Sequence, residues 1–196
     1  LVSVFANGTC GDINHFDVTG QKTLKTAYIG QTLATTVTAS LPKLKPLTTP
    51  RLAVRSEAVE LPLRTYTPDE VALAEKAINT LGTREKPVMD LVQAYEIMNF
   101  KSRKPGKLRA LVQAIRLGDD TALVGLPGEV FVELGLAIKQ ASPFANTMVV
   151  ELSQDCPDYV PTRKAFSEGS YETVCSCVEP GGGAMLVVSA PPLLKQ

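Results

Sequence analysis

Residues 107–144 read "KLRALVQAIRLGDDTALVGLPGEVFVELGLAIKQASPF". Alternating apolar residues run up to "GDD", a hairpin turn, and a second apolar strand, "TALVGL", follows it. The break "PGE" then leads into "VFVELGLAIKQA", whose apolar spacing is that of an amphipathic helix. Two paired strands followed directly by a helix predict an α/β chain with a mixed β-sheet flanked by helices. In this reading Glu129 stands at a strand-to-helix junction. There the free N–H groups of a helix start favour a negative charge, and strand ends often build sites.

Downstream, "TMVVEL" (147–152) reads as another buried strand. The segment 153–185 is rich in turn residues yet holds Tyr159, Phe166 and Tyr171, which predicts an ordered functional loop rather than a linker. "GGGAMLVVSA" opens a last helix that Pro191 and Pro192 are expected to terminate.

Upstream, a helix is predicted over 88–98. Another is predicted from Thr67, where Pro68 at the first helical position and Glu70 at the third complete a capping box. "RLAVRSEAVELPLR" (51–64) alternates as a strand or hairpin would. Residues 24–41 space Ile29, Leu33, Val37 and Leu41 along one helical face, expected to be core. Residues 2–6, "VSVFA", predict a buried strand that enters the polar loop "NGTCGDINHFD".

The chain has 196 residues and is 44% hydrophobic, enough for one substantial core and a single unit over 1–196. Twenty basic residues balance twenty acidic ones, so no electrostatic footprint favours a nucleic-acid partner. No apolar run approaches the roughly 20 residues of a transmembrane segment. Leu1 opens inside an apolar, β-branched run, which leads to the expectation that the chain is part of a larger domain. Four cysteines, Cys10, Cys156, Cys175 and Cys177, fall short of a disulfide-dense scaffold. Cys175 and Cys177 of "CSC" with Cys156 and His15 meet the ligand count of a zinc site but not its usual spacing, so buried free thiols or one disulfide are expected.

A single histidine cannot supply a His-rich catalytic zinc set. There is no G-x-S-x-G nucleophile motif, and "PGGGAM" lacks the Lys-Ser/Thr of a phosphate loop.

Three stretches taken together resemble the neutral/alkaline non-lysosomal ceramidase family: "NGTCGDIN" after a strand, "AIRLGDDTALVGLPGEVFVELGLAIK", and "YVPTRKAFSEGSYE" after a third strand. The resemblance implies the C-terminal part of a zinc (Zn2+) amidohydrolase domain. Such an enzyme cleaves the N-acyl bond of ceramide-like lipids, and its partner is a lipid or another N-acyl small molecule. It implies metal ligands at Glu129 of "LPGEVF" and Tyr171 of "GSYE", with Tyr159 the rival phenol in the same loop. The two His ligands of the family belong to segments that would precede Leu1, so this chain alone is not expected to form the full site.

The resemblance also implies a catalytic loop at Asp12 and Asn14, with Gly11 and His15 as substrate contacts. "GDINHF" aligns with a family hexapeptide reading Gly-Asp-Val-Ser-Pro-Asn. Asn14 thus replaces the Ser that has a catalytic or substrate-contacting role there, and His15 replaces the Pro. Asn14 can donate a hydrogen bond to a carbonyl but is a poor nucleophile. A non-catalytic binding or structural module with the same fold is the alternative.

Overall fold

The computed structural model describes residues 4–15, 24–47, 49, 51–83, 85–102 and 106–195. Helix α1 (Thr26–Ser40) runs through a short 3-10 turn, Leu41–Lys43, toward the long strand β1 (Leu52–Pro62). A helical pair follows, α2 (Pro68–Ile78) and α3 (Val88–Ser102). Strand β2 (Lys107–Leu117) turns at "GDD" into β3 (Thr121–Gly125). Beyond it come the two-residue strand β4 (Glu129–Val130), helix α4 (Val132–Ala141) and strand β5 (Asn146–Val150). The chain ends in β6 (Tyr159–Val160), the short helices α5 (Arg163–Glu168) and α6 (Tyr171–Val174), and α7 (Gly182–Leu194).

The main sheet has the order β1-β2-β3-β5. Its first three strands pair antiparallel, whereas β3 and β5 are parallel and joined across α4, so the sheet is mixed as the sequence predicts. "GDD" makes the hairpin because Gly118 takes a positive φ of 71°. The capping box of α2 is also present: the Thr67 hydroxyl accepts from the Glu70 amide and the Glu70 carboxylate accepts from the Thr67 amide. The Thr67 backbone bond, then its hydroxyl, holds the Glu70 carboxyl below the usual carboxylate range.

Alternate residues of the sheet form the core. Val59 and Leu61 of β1, Ala110, Val112 and Ala114 of β2, Ala122 and Val124 of β3 and Val149 of β5 share one face. Helices α4 and α7 cover that face with Leu134, Ile138, Leu186 and Ala190. Ile138 and Leu186 are fully buried, and each such side chain contributes about 2 kcal/mol through its lost contact with water. The other face leaves Leu52, Val54 and Met148 exposed.

Four expectations are corrected. Val4, Phe5 and Ala6 form no strand, and Val4 and Phe5 are 86% and 78% exposed; Val2 and Ser3 lie outside the described residues. Helix α1 forms, but its apolar stripe is not core: Ile29, Leu33, Val37 and Leu41 are all exposed. The hydroxyls of Thr32, Thr35, Thr36, Thr38 and Ser40 each donate to the carbonyl four residues back, so the polar groups of this exposed helix are bonded locally. Pro191 and Pro192 do not end α7 at once; they lie in its last turn, where each removes one amide bond to the carbonyl four residues back, and the helix stops shortly after them at Leu194. Glu129 belongs to β4 and not to the helix start, because "PGE" leads into a second, two-stranded sheet before α4 begins.

All four cysteines are free. Among the described residues no helix is long and apolar enough to cross a membrane.

Candidate functional site

The parallel strands β3 and β5 run side by side, and their backbones stay paired past the strand ends. Leu126 N–H donates to the Val150 carbonyl at 2.8 Å, Ser153 N–H to Leu126 at 2.9 Å and Leu152 N–H to Gly128 at 3.1 Å. Loops leaving the C-terminal ends of parallel strands commonly build sites. Here they carry β4 and β6, which pair in parallel with Glu129 opposite Tyr159.

Residues 7–12 are fastened to this edge at nearly every position. The Asn7 carbonyl accepts from Glu151 N–H at 3.1 Å. Thr9 packs where Gly135 of α4 lacks a side chain, and a Cβ there would collide with it. Cys10 N–H and its thiol donate to the Glu151 carboxylate at 3.1 Å and 2.9 Å. Gly11 is buried, its N–H donates to the Val130 carbonyl at 3.0 Å, and a Cβ at this position would run into the Glu129 carbonyl. Asp12 Oδ1 accepts from Val132 N–H, the first residue of α4, at 2.7 Å. The carboxylate bonded to that helix start is therefore Asp12, with Glu133 also in the first turn, and Phe131 at the N-cap offers no side-chain bond of its own. Beyond this anchored base Ile13, Asn14 and His15 are exposed, with Asn14 Oδ1 accepting from His15 N–H at 2.8 Å.

On the opposite side of Glu129 stand two phenols. Tyr159 stands beside Glu129, and burial first, then the charge of the Glu129 carboxylate, push its phenol well above its ordinary value. The Tyr171 ring meets Tyr159 edge-on, with centroids 5.9 Å apart and planes 78° apart. The neighbouring Cys175 thiol raises the Tyr171 phenol too. Glu129 and Tyr159 are half-buried, while Tyr171 is exposed.

The backbone here departs from common conformations. Leu152, Gln154, Asp158 and Ser170 have positive φ of 53°, 68°, 66° and 112°. Such residues persist only where the surroundings hold them, and they cluster at functional sites. Ser170, which precedes Tyr171, also donates its hydroxyl to Glu172.

The structure thus gathers Glu129, Tyr159 and Tyr171 on one side of β4, and seats Gly11 and Asp12 on the backbone of β4 and the start of α4. The Gly11 N–H is spent on this packing, and one Asp12 oxygen on the helix. Glu151 escapes sequence reading, although it is 3% exposed and receives three hydrogen bonds. An acid closing the apolar run "TMVV" was its only signal.

No protein-family profile matches the chain, and no curated protein matches it in sequence. Among solved structures it is similar to the neutral ceramidase of Pseudomonas aeruginosa, with a TM-score of 0.62 and 20% identity over 98% of this chain and 37% of that one. The fold is ceramidase-like. A second similarity, to a ceramidase complexed with C2, has a TM-score of 0.44 at 16% identity over 74% of this chain and 30% of that one. The chain therefore spans well under half the length of the ceramidase structures it matches.

For a metal, the donor chemistry fits in part. A carboxylate and a phenol are hard oxygen donors that zinc accepts. Among the described residues no group of three or more His, Cys, Asp and Glu side chains could hold an ion.

Proposed function

We propose that this chain forms one wall of the active site of a zinc-dependent amidohydrolase that hydrolyses the N-acyl bond of ceramide-like lipids or a related N-acyl compound. The observation that carries the reading is the cluster Glu129–Tyr159–Tyr171 at the strand ends of a ceramidase-like fold. Glu129 would hold zinc together with a phenol oxygen. Of the two phenols Tyr159 is favoured for that place, because it stands opposite Glu129 in the register of β4 and β6 and is half-buried, while Tyr171 is exposed. Tyr171 would then donate a hydrogen bond to the oxygen on which charge develops. The 196 residues contain one histidine, so the imidazole ligands of this reading lie in chain outside them.

Bound zinc supplies Lewis acidity toward the amide carbonyl and lowers the pKa of water. The chain's own residues do the rest. Asp12 fixes the loop on α4, and Asn14 at its exposed tip is a hydrogen-bond donor for the acyl carbonyl, with His15 beside it.

One observation favours a second reading, a non-catalytic binding module: Asn14 and His15 occupy the loop tip where the resembled family carries Ser and Pro. Elemental analysis of the intact protein separates the two. About one zinc per chain, lost in Glu129→Ala and diminished in Tyr159→Phe more than in Tyr171→Phe, supports the hydrolase. Wild-type protein that binds no zinc and cleaves no N-acyl lipid leaves the binding module.

A further inference from the structure

We infer that Glu151 is a positioning residue that clamps the Asp12 loop to the Glu129 strand and so sets the distance between the two sides of the candidate site. The inference builds on the zinc-amidase reading, since it concerns the same site. Three donors from two separate segments converge on this one carboxylate. Oε2 accepts from Cys10 N–H at 3.1 Å and from Val130 N–H at 2.8 Å, and Oε1 accepts from the Cys10 thiol at 2.9 Å.

Cys10 is two residues before Asp12, and Val130 directly follows Glu129. A single buried group thus ties the backbone beside each. Glu151 is itself held, because its N–H donates to Asn7, so its strand is bonded to the same loop through main chain and side chain. The Gly11 N–H to Val130 bond closes the loop onto β4 between these ties.

A carboxylate suits this place because the three groups bonded to it are all donors, and a carboxylate offers acceptors on both oxygens. An apolar residue of similar size would leave the Cys10 and Val130 amides without their partner in the interior. Glutamine keeps one carbonyl oxygen, enough for the two amides, and its NH2 group can face the Cys10 sulfur only if the thiol turns its proton away. The predicted order of clamping is therefore Glu, then Gln, then Ala. A residue that only filled space would not give that order, because Glu and Gln have nearly the same volume.

The test uses the intact protein with Glu151→Gln and Glu151→Ala. Amide hydrogen exchange is followed at Cys10 and Val130, with the β2–β3 pairing as internal reference. Turnover of a fluorescent short-acyl ceramide and zinc content are measured on the same samples. Exchange at Cys10 and Val130 is expected to rise about tenfold or more in Glu151→Ala and less in Glu151→Gln, with the reference unchanged. In the same order kcat should fall, by tenfold or more for Ala, while zinc content stays near wild type and Gln restores part of the rate.

Unchanged exchange at both amides in a folded Glu151→Ala protein would overturn the clamp. So would an equal rise throughout the sheet, which marks an ordinary core residue. Should Glu151→Ala not fold, the Gln variant decides by the same comparison. Absent turnover in the wild type would sink the amidase reading and with it the catalytic consequence, while the exchange result still judges the clamp.

Discussion

Asp12 Oδ1 receives the backbone N–H of Val132 at 2.7 Å across 120 positions of sequence, so the first turn of α4 is capped by a residue from another part of the chain. A helix start leaves amide donors without intrahelical partners, and an acid there also meets the positive end of the helix dipole. One contact therefore stabilises α4 and fixes the loop whose tip carries Asn14.

Replacing the cap tests that double role. Asp12→Ala should cost about 1 kcal/mol, the usual loss for a cap, whereas Asp12→Asn should cost only a few tenths because the amide oxygen still accepts. Urea unfolding of the two variants measures the difference. Equal losses would mean that charge, and not the hydrogen bond, holds the loop.

Thr9 and Gly135 form a second seam between loop and helix. Gly135→Ala should destabilise by about 1–3 kcal/mol through overpacking, since its Cβ would meet the Thr9 side chain. Adding Thr9→Ala should recover part of that loss, and a double-mutant cycle reads the coupling. Purely additive losses would contradict the contact.

Cys10 gives a pH signature. Burial, then the bond to Glu151 and its charge, push the thiol up from 9.0 to about 11. The folded state therefore holds this proton more tightly than the unfolded chain does. The resulting stabilisation is complete below pH 9 and is lost as the pH rises through about 11. Comparing wild type with Cys10→Ala between pH 8 and 11 should show the wild-type advantage shrinking across that window. The same protonation predicts that iodoacetamide at pH 8.5 labels the exposed Cys156 before Cys10. A constant difference in stability, or Cys10 labelled first, contradicts the assignment.

Much of the fold was legible wherever neighbours in sequence decide the outcome. Thr67, Pro68 and Glu70 make a helix start within four residues, and Gly118 makes a turn from its own freedom in φ. The apolar alternation of β2 and β3 needed only each other to pair. The candidate site was legible in its residue types and less so in its arrangement. Glu129 and the two tyrosines were singled out, but nothing in the spacing indicated that Tyr159 would be the phenol opposite Glu129 in the register of β4 and β6. The stripe of α1 shows the limit from the other direction: the helix forms, yet among the described residues none of its side chains is buried.

By itself the sequence determined the local elements, the mixed sheet and the chemistry available at the loops, because propensity, capping and turn geometry act over a few bonds. Only the tertiary structure decided that Asp12 and not Glu129 caps α4, that Glu151 joins Cys10 to Val130, and that Tyr159 faces Glu129. All three join residues that the sequence does not place side by side, and at Glu151 the reason is strongest, because a polar group buried where the interior excludes water must find its partners wherever the fold provides them.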